Sequence, residues 1–229
     1  MRRRLRRRQF LTISATSVGG LLVYTLERRP KRVHAQTKAV PQASAIKVRL
    51  RFFTEPEALA VAAACARIFP VDEAGPGANE AGVVIYIDRQ LASAYGRDQY
   101  RYTQPPFVHG VPEQGYQAKD TPREIYRAGL KMLGRFHELS AGKQDARLKE
   151  IEGTLFFSML RGHTIEGMFC DPMHGGNIDL IGWQLIGFPG PRMSYVEEVE
   201  QYHGRPFRPK PASLSQILGH PVRPSEDDV

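Results

Sequence analysis

One helix-start pattern occurs twice in this chain and fixes where two helices must begin. It is a threonine, followed by a proline in the first turn and by a glutamate three positions on, at Thr54-Glu55-Pro56-Glu57 and at Thr121-Pro122-Arg123-Glu124. In such a capping box the threonine and glutamate side chains bind backbone N–H groups that the first helical turn leaves without partners. Proline fits in that turn because it has no N–H to satisfy. Apolar residues follow both boxes at helical spacing, which predicts amphipathic helices.

The same periodicity along the rest of the chain predicts a mostly α-helical fold. Helices are expected at about 55–69, 80–95, 122–139, 143–152 and 154–169, and shorter ones near 194–202 and 214–218. We expect a single compact helical domain with long irregular loops and an extended C-terminal arm, preceded by a signal peptide. The expected units are a signal peptide at 1–35, a loose leader at 36–50, the helical domain at 51–202 and a proline-rich arm at 203–229.

The first 35 residues have the composition of an export signal. A basic start is followed by a weakly apolar stretch from Thr12 to Leu26, and Ala35 supplies a small residue at the expected cleavage site. The paired arginines Arg7 and Arg8, followed by Phe10 and Leu11, match the twin-arginine address. They predict export to the periplasm by the twin-arginine translocase. An uncleaved anchor is the alternative, but the apolar stretch is shorter than the roughly 20 residues that span a bilayer.

The strong positive charge of the chain belongs to this signal. Residues 1–35 hold ten of the 32 lysines and arginines but one of the 24 acidic residues, so 22 positive and 23 negative residues remain after it. Binding to nucleic acid requires several phosphate charges to be neutralised together. The mature chain has no basic stripe of that kind, and a nucleic-acid partner is not expected.

Export in the folded state usually serves a protein whose cofactor is inserted in the cytoplasm. Residues 36–229 contain no dinucleotide-binding glycine fingerprint, no c-type haem attachment motif and no cysteine cluster for an iron–sulfur centre. We therefore expect no cofactor in this chain. The combination suggests that the chain carries an export signal for a partner that does hold a cofactor.

The polar segment 161–177 could carry chemistry in two ways, as a metal site or as an acid–base pair. His163, Cys170, Asp171 and His174 could bind a metal ion, which would make the chain a small periplasmic metal-dependent enzyme or binding protein. Their spacing matches no standard metal site. His163 and Glu166, three positions apart on a helix, could act as base and acid, although no nucleophile accompanies them.

Cys65 and Cys170 could form a disulfide or remain as buried thiols.

The interpretation that the residue types favour is a rigid irregular loop shaped by its backbone. Asp171-Pro172 should end a helix, Gly175-Gly176-Asn177 permits positive φ angles, and Trp183 stands among small residues. Such a loop either covers its own core or docks on a partner. We expect the irregular loops 96–120 and 171–191 and the C-terminal arm to lie against that partner. The predicted partner-binding residues are Asp171, Pro172, His174, Gly175, Gly176, Asn177, Trp183, Pro189 and Gly190.

At these residues the chain resembles the gluconate 2-dehydrogenase subunit 3 family. The N-terminal half of the resemblance consists of Phe53-Thr54-Glu55-Pro56-Glu57, Ile68-Phe69-Pro70, Gly75-Pro76-Gly77-Ala78, Ala81-Gly82-Val83 and Ile87-Asp88. Its most specific part consists of His163-Thr164-Ile165-Glu166-Gly167, Asp171-Pro172, Gly175-Gly176-Asn177, Gly182-Trp183 and Ile186-Gly187-Phe188-Pro189-Gly190.

The resemblance implies a non-catalytic small subunit bound to an FAD-carrying large subunit that oxidises a sugar or sugar acid. A multihaem cytochrome c would pass the electrons to quinone, so that FAD and haem c would both reside in partners. In such complexes the small subunit bears the twin-arginine signal and the flavoprotein does not. The complex would lie in the periplasm, at the inner membrane through its partners only. The resemblance transfers no catalytic, cofactor-binding or metal-binding residue and no disulfide.

Overall fold

A computed structural model describes residues 48–101, 104–108, 110–207 and 209–221. The predicted signal peptide, its cleavage site, most of the leader and the last eight residues of the arm lie outside this range. The regular structure of the described residues is helical, without a β-strand, so the prediction of a mostly α fold is confirmed. The α-helices are α1 (Glu55–Ile68), α2 (Val83–Ala92), α3 (Pro122–Leu133), α4 (Ala141–Ile151), α5 (Leu155–Phe169), α6 (Ile181–Ile186), α7 (Val196–Gln201) and α8 (Leu214–Leu218).

Helix starts follow the sequence closely because capping is local. Thr121 and Glu124 cap the start of α3 reciprocally. The Thr121 N–H donates to Glu124 Oε2 (2.8 Å), and the Glu124 N–H donates to Thr121 Oγ1 (3.3 Å). The Thr54 N–H likewise donates to Glu57 Oε2 (2.9 Å) at the start of α1. Ser213 and Gln216 form a third capping box at α8, which the sequence analysis had not identified.

Several helix ends differ from the prediction. The helix predicted to run to residue 139 stops at Leu133, because Gly134 adopts a φ of 58°, and Phe136–Glu138 forms a separate 3-10 turn. The segment 171–191 was expected to be irregular, but it contains α6 and the 3-10 turns Pro172–His174 and Ile178–Leu180. That part of the prediction was wrong, since these short turns depend on contacts with α5 rather than on local periodicity.

Helix α5 lies at the centre of the packing and contacts α1, α2, α3, α4 and α6. Gly129 on α3 allows this close approach, because a Cβ at that position would overlap the ring of Phe156. Leu160 and Met168 on α5 are fully buried and belong to one apolar cluster with residues of α1, α2, α3 and α4. No helix of the described residues has both the length and the apolar composition needed to cross a bilayer.

A buried carboxylate on α2 holds the bent segment that leads into α1. Asp88 is 2% exposed, and its oxygens accept hydrogen bonds from the backbone N–H groups of Arg51 (2.7 Å), Phe52 (3.0 Å) and Phe53 (2.9 Å). The Phe53 ring belongs to the apolar cluster. Asp88 therefore fixes the entry of the chain into its first helix, a role that spacing in the sequence does not reveal.

We predict that Asp88→Ala lowers the free energy of unfolding by roughly 3 kcal/mol, because it leaves three backbone N–H groups, one buried and two partly buried, without acceptors. Asp120→Ala, which removes an exposed carboxylate, should change it by less than about 0.5 kcal/mol. Urea unfolding followed by circular dichroism measures both values. An Asp88→Ala variant as stable as the Asp120→Ala control would contradict this role.

Candidate functional site

The C-terminal end of α5 is completed by the segment that follows it. The last carbonyl groups of a helix have no partners within the helix. Here the Asn177 N–H donates to Gly167 O (2.8 Å), Trp183 Nε1 donates to Phe169 O (2.7 Å) and Asn177 Nδ2 donates to Cys170 O (2.8 Å). Two residues that carry the family resemblance, Asn177 and Trp183, thus cap α5 although they lie several positions beyond its end in the sequence.

Asn177 is fully buried and joins this cap to α6. Its Oδ1 accepts a hydrogen bond from the Gly182 N–H (2.8 Å), and its backbone has a φ of 49°. Asparagine tolerates this left-handed conformation better than most residues with a side chain. Gly176 and Gly182 have no room for a Cβ, which would overlap the carbonyl oxygens of Gly167 and Met168 respectively. Gly176 and Gly182 are therefore required by the close approach of two backbone segments.

Asp171 and Gly190 hold the C-terminal segment against the same region. Asp171 Oδ1 accepts from the Met173 N–H (3.1 Å), and Oδ2 accepts from the Leu214 N–H (2.8 Å). The Ala212 N–H donates to Pro189 O (3.2 Å), and a Cβ on Gly190 would overlap the carbonyl oxygen of Ala212. This part of the predicted arm is consequently attached to the helical domain.

The predicted partner-binding residues are buried or half-buried in this structure. Trp183 is 4% exposed and packs edge-on against Phe188, with ring centroids 5.0 Å apart. Contact with another protein would have to come mostly from exposed neighbours, and the partner-binding role of the predicted residues stays a prediction. Of these residues Gly175, Gly176, Asn177, Trp183 and Gly190 are buried, and Asp171, Pro172, His174 and Pro189 are half-buried.

His163 lies in the core between two tyrosines. Its Nε2 is 2.8 Å from Tyr95 Oη, and its Nδ1 is 2.8 Å from Tyr126 Oη. The Tyr126 ring stacks on the imidazole at an interplanar angle of 12°. Burial lowers the pKa of His163 from its ordinary value of 6.5, although the nearby Glu166 carboxylate opposes this shift. A neutral imidazole has one donor and one acceptor nitrogen, so it can bind one hydroxyl as donor and the other as acceptor.

The tyrosine partners were not found from the sequence, because Tyr95 and Tyr126 are distant from His163 along the chain. Burial also raises the pKa of Tyr95 to about 12, with the Glu166 and Asp98 charges adding to the shift. Glu166 itself accepts a hydrogen bond from Tyr86 Oη (2.9 Å). Both members of the predicted acid–base pair, His163 and Glu166, are therefore hydrogen-bonded to tyrosine hydroxyls.

Three of the four residues in the metal hypothesis line an open depression of about 460 Å³, and the fourth does not. Cys170, Asp171 and His174 line it, together with Glu166, whereas His163 does not. No three His, Cys, Asp or Glu side chains within the described ranges are arranged to hold one metal ion. Both ring nitrogens of His163 are used by tyrosines, which leaves it no free position for a metal.

The two cysteines are free thiols, so the disulfide considered from the sequence does not form in this structure. Cys65 is fully buried, and burial raises the pKa of its thiol to about 12. Its sulfur lies 3.3 Å from Thr164 Oγ1, whose hydroxyl also donates to Leu160 O at 2.7 Å. The pKa of Cys170 is raised to about 11, again mainly by burial.

Comparison with known proteins identifies one family. The sequence model of gluconate 2-dehydrogenase subunit 3 matches residues 55–190, which is more than half of the 229-residue chain. The matched range begins with α1 and ends at Gly190, so α7 and α8 lie beyond it. No curated protein and no solved structure matches the chain.

We predict that Asn177→Ala lowers the free energy of unfolding by roughly 3–4 kcal/mol, through two lost side-chain hydrogen bonds and a strained positive φ. Asn177→Gly loses the same bonds without that strain and should cost about 1 kcal/mol less. Chemical denaturation of the two variants checks this order. Equal losses would argue against backbone strain, and small losses in both would argue against the cap.

We also predict that the protein loses stability as the pH falls below about 6.5, because the unfolded chain binds the His163 proton at a higher pH than the folded chain. The His163→Gln variant should lack this component, since glutamine does not titrate. His203 is exposed, so His203→Gln is the matched control and should keep the His163 component of the pH dependence. The measurement is the free energy of unfolding from about pH 7.5 to 5.5. An unchanged pH dependence in His163→Gln would refute the assignment.

Proposed function

This chain belongs to the gluconate 2-dehydrogenase subunit 3 family, and on that basis we propose that it is the non-catalytic small subunit of a periplasmic FAD-dependent sugar or sugar-acid dehydrogenase. The match over residues 55–190 is the observation that carries this proposal. The family is that of one subunit within a dehydrogenase complex. The proposal adds the division of labour, the compartment and the route of export.

The signature residues support a structural role for this subunit. Asn177 and Trp183 use their polar atoms to bind the end of α5, and Asp171 binds the backbone of the C-terminal segment. His163 is enclosed by tyrosine hydroxyls in the core. Side chains occupied in this way shape a surface, whereas a catalytic group must reach a substrate.

We assign the cofactors of the complex to its other subunits. FAD would be held by the large subunit, which oxidises the substrate, and haem c by a multihaem cytochrome that transfers the electrons. The depression beside α5 is a poor fit for FAD, because the carboxyl groups of Glu166 and Asp171 line it and would repel a pyrophosphate. This repulsion is an argument for assigning the flavin to the partner.

Export of the flavoprotein would depend on the signal in this chain. The twin-arginine route accepts folded cargo, so the large subunit would fold, bind FAD and associate with this chain before transport. The pair would then cross together and lie at the inner membrane through the other subunits. In this proposal the small subunit contributes folding support and the address Arg7-Arg8.

We predict that replacing Arg7 and Arg8 by lysine retains both subunits and the flavin in the cytoplasm, because the translocase reads the arginine pair rather than charge alone. Replacing Arg2 and Arg3 by lysine is the matched control, since it preserves the same charge and leaves the pair intact. Cell fractionation, immunoblotting of both subunits and periplasmic dehydrogenase activity measure the outcome.

The control strain should export both subunits at the wild-type level. Normal periplasmic flavoprotein in the Arg7→Lys, Arg8→Lys strain would contradict the carrier role. Dehydrogenase activity of the isolated small subunit, free of flavoprotein, would contradict the non-catalytic assignment.

A further inference from the structure

His163 joins three parts of the fold through its two ring nitrogens. It lies on α5 and is 3% exposed. Its Nδ1 is 2.8 Å from the hydroxyl oxygen of Tyr126 on α3, and its Nε2 is 2.8 Å from that of Tyr95, which follows the end of α2. The directions of these two hydrogen bonds decide where an added proton acts.

Tyr126 is the donor in its bond to His163. The side chain is fully buried, and burial raises the pKa of the hydroxyl well above its usual value, so the oxygen keeps its proton. A buried hydroxyl proton requires an acceptor. Among the described residues, His163 Nδ1 is the hydrogen-bond partner that the structure gives to Tyr126 Oη. Nδ1 is therefore the unprotonated nitrogen of the neutral ring.

The proton of the neutral ring consequently lies on Nε2, which donates to Tyr95 Oη. Tyr95 is 41% exposed, so its own hydroxyl proton is not confined to the core. Burial and the nearby charge of Glu166 raise the pKa of Tyr95 to about 12, so this hydroxyl also stays neutral. The two bonds therefore run in one direction, from Tyr126 to His163 and from His163 to Tyr95.

A proton added to His163 disrupts the bond to Tyr126 and preserves the bond to Tyr95. The imidazolium carries an N–H at both nitrogens. The bond from Nε2 to Tyr95 becomes a charge-assisted one and gains strength. Nδ1, by contrast, can no longer accept, and the Tyr126 hydroxyl has to turn its proton away from it inside the core. A buried donor that loses its acceptor is costly.

The ionisable groups around His163 do not remove this cost. Glu166 favours the protonated ring, but burial opposes it and the pKa of His163 is lowered. The Glu166 carboxylate is already bound by the Tyr86 hydroxyl (2.9 Å). The ionisable groups that act on His163 or on its two tyrosines come from α1, from α2 and the segment after it, from α3 and from α5: Cys65, Tyr86, Tyr95, Asp98, Tyr126 and Glu166.

We propose that His163 is a pH switch between α3 and α5, in which the neutral ring holds Tyr126 as a hydrogen-bond acceptor and proton uptake releases Tyr126 while Tyr95 stays bound. The pH dependence of unfolding predicted above concerns the whole fold, whereas this inference identifies the contact at which the proton acts. It does not depend on the proposed function. Acid should loosen α3 from α5 before the domain unfolds.

Nuclear magnetic resonance of the full chain, labelled with ¹⁵N in its histidines, tests the directions of the bonds. The spectrum of His163→Gln identifies the His163 signals. At neutral pH we expect the shifts of an unprotonated Nδ1 and a protonated Nε2. The opposite tautomer, with the proton on Nδ1, would overturn the switch, and this measurement is made on the unaltered protein.

Two substitutions should change the proton affinity of His163 in opposite directions. Tyr126→Phe keeps the stacked ring but removes the hydroxyl that favours the neutral imidazole, so protons should bind about fivefold more tightly. Tyr95→Phe removes an acceptor that binds the charged ring more strongly, so protons should bind about fivefold more weakly. Titration of the His163 resonances measures both values, and the exposed His203 is the internal reference. Shifts of the same sign, or no shifts, would reject the proposed directions.

Hydrogen exchange then separates a local switch from a general loss of stability. When the pH is lowered from about 7.5 to 5.5, the protection of the α3 amides around Tyr126 should fall more than that of α1, after correction for intrinsic exchange rates. His163→Gln should abolish the difference. An equal fall in both helices would overturn the local release. Circular dichroism checks that each variant is folded; where one is not, the tautomer of the wild type decides.

Discussion

The structure depends on how the last carbonyl groups of α5 are satisfied. This helix lies at the centre of the packing, and the segment that follows it partly buries its C-terminal end. Asn177 and Trp183 return from the following segment to bind Gly167, Phe169 and Cys170. Buried backbone groups without partners are costly, and this requirement fixes the path of the chain after the helix.

That path explains why the family signature is rich in small residues. The return brings backbone against backbone, and Gly176 and Gly182 are the positions where a side chain would collide with carbonyl groups. Asp171 extends the same organisation to the C-terminal segment through the Leu214 N–H. Residues that carry the family resemblance therefore build a scaffold that holds the segment after α5 in place.

The sequence could predict what local chemistry decides. The starts of α1 and α3 followed from Thr54 and Thr121 with their glutamates, and helical periodicity located the core helices. It could not predict α6, because that helix depends on bonds from Asn177 and contacts with α5. The acceptor role of Asp88 and the tyrosines around His163 were also missed, since each joins residues far apart along the chain. Such pairings become visible only when the helices have packed.

The burial of the two free cysteines has a consequence for their reactivity. Thiol–disulfide exchange proceeds through the thiolate, and the fraction of thiolate falls tenfold for each unit by which a pKa exceeds the pH. With thiol pKa values of about 12 for Cys65 and about 11 for Cys170, both sulfurs remain almost fully protonated at neutral pH. Both thiols are therefore weak nucleophiles toward a disulfide at neutral pH, in spite of the partial exposure of Cys170.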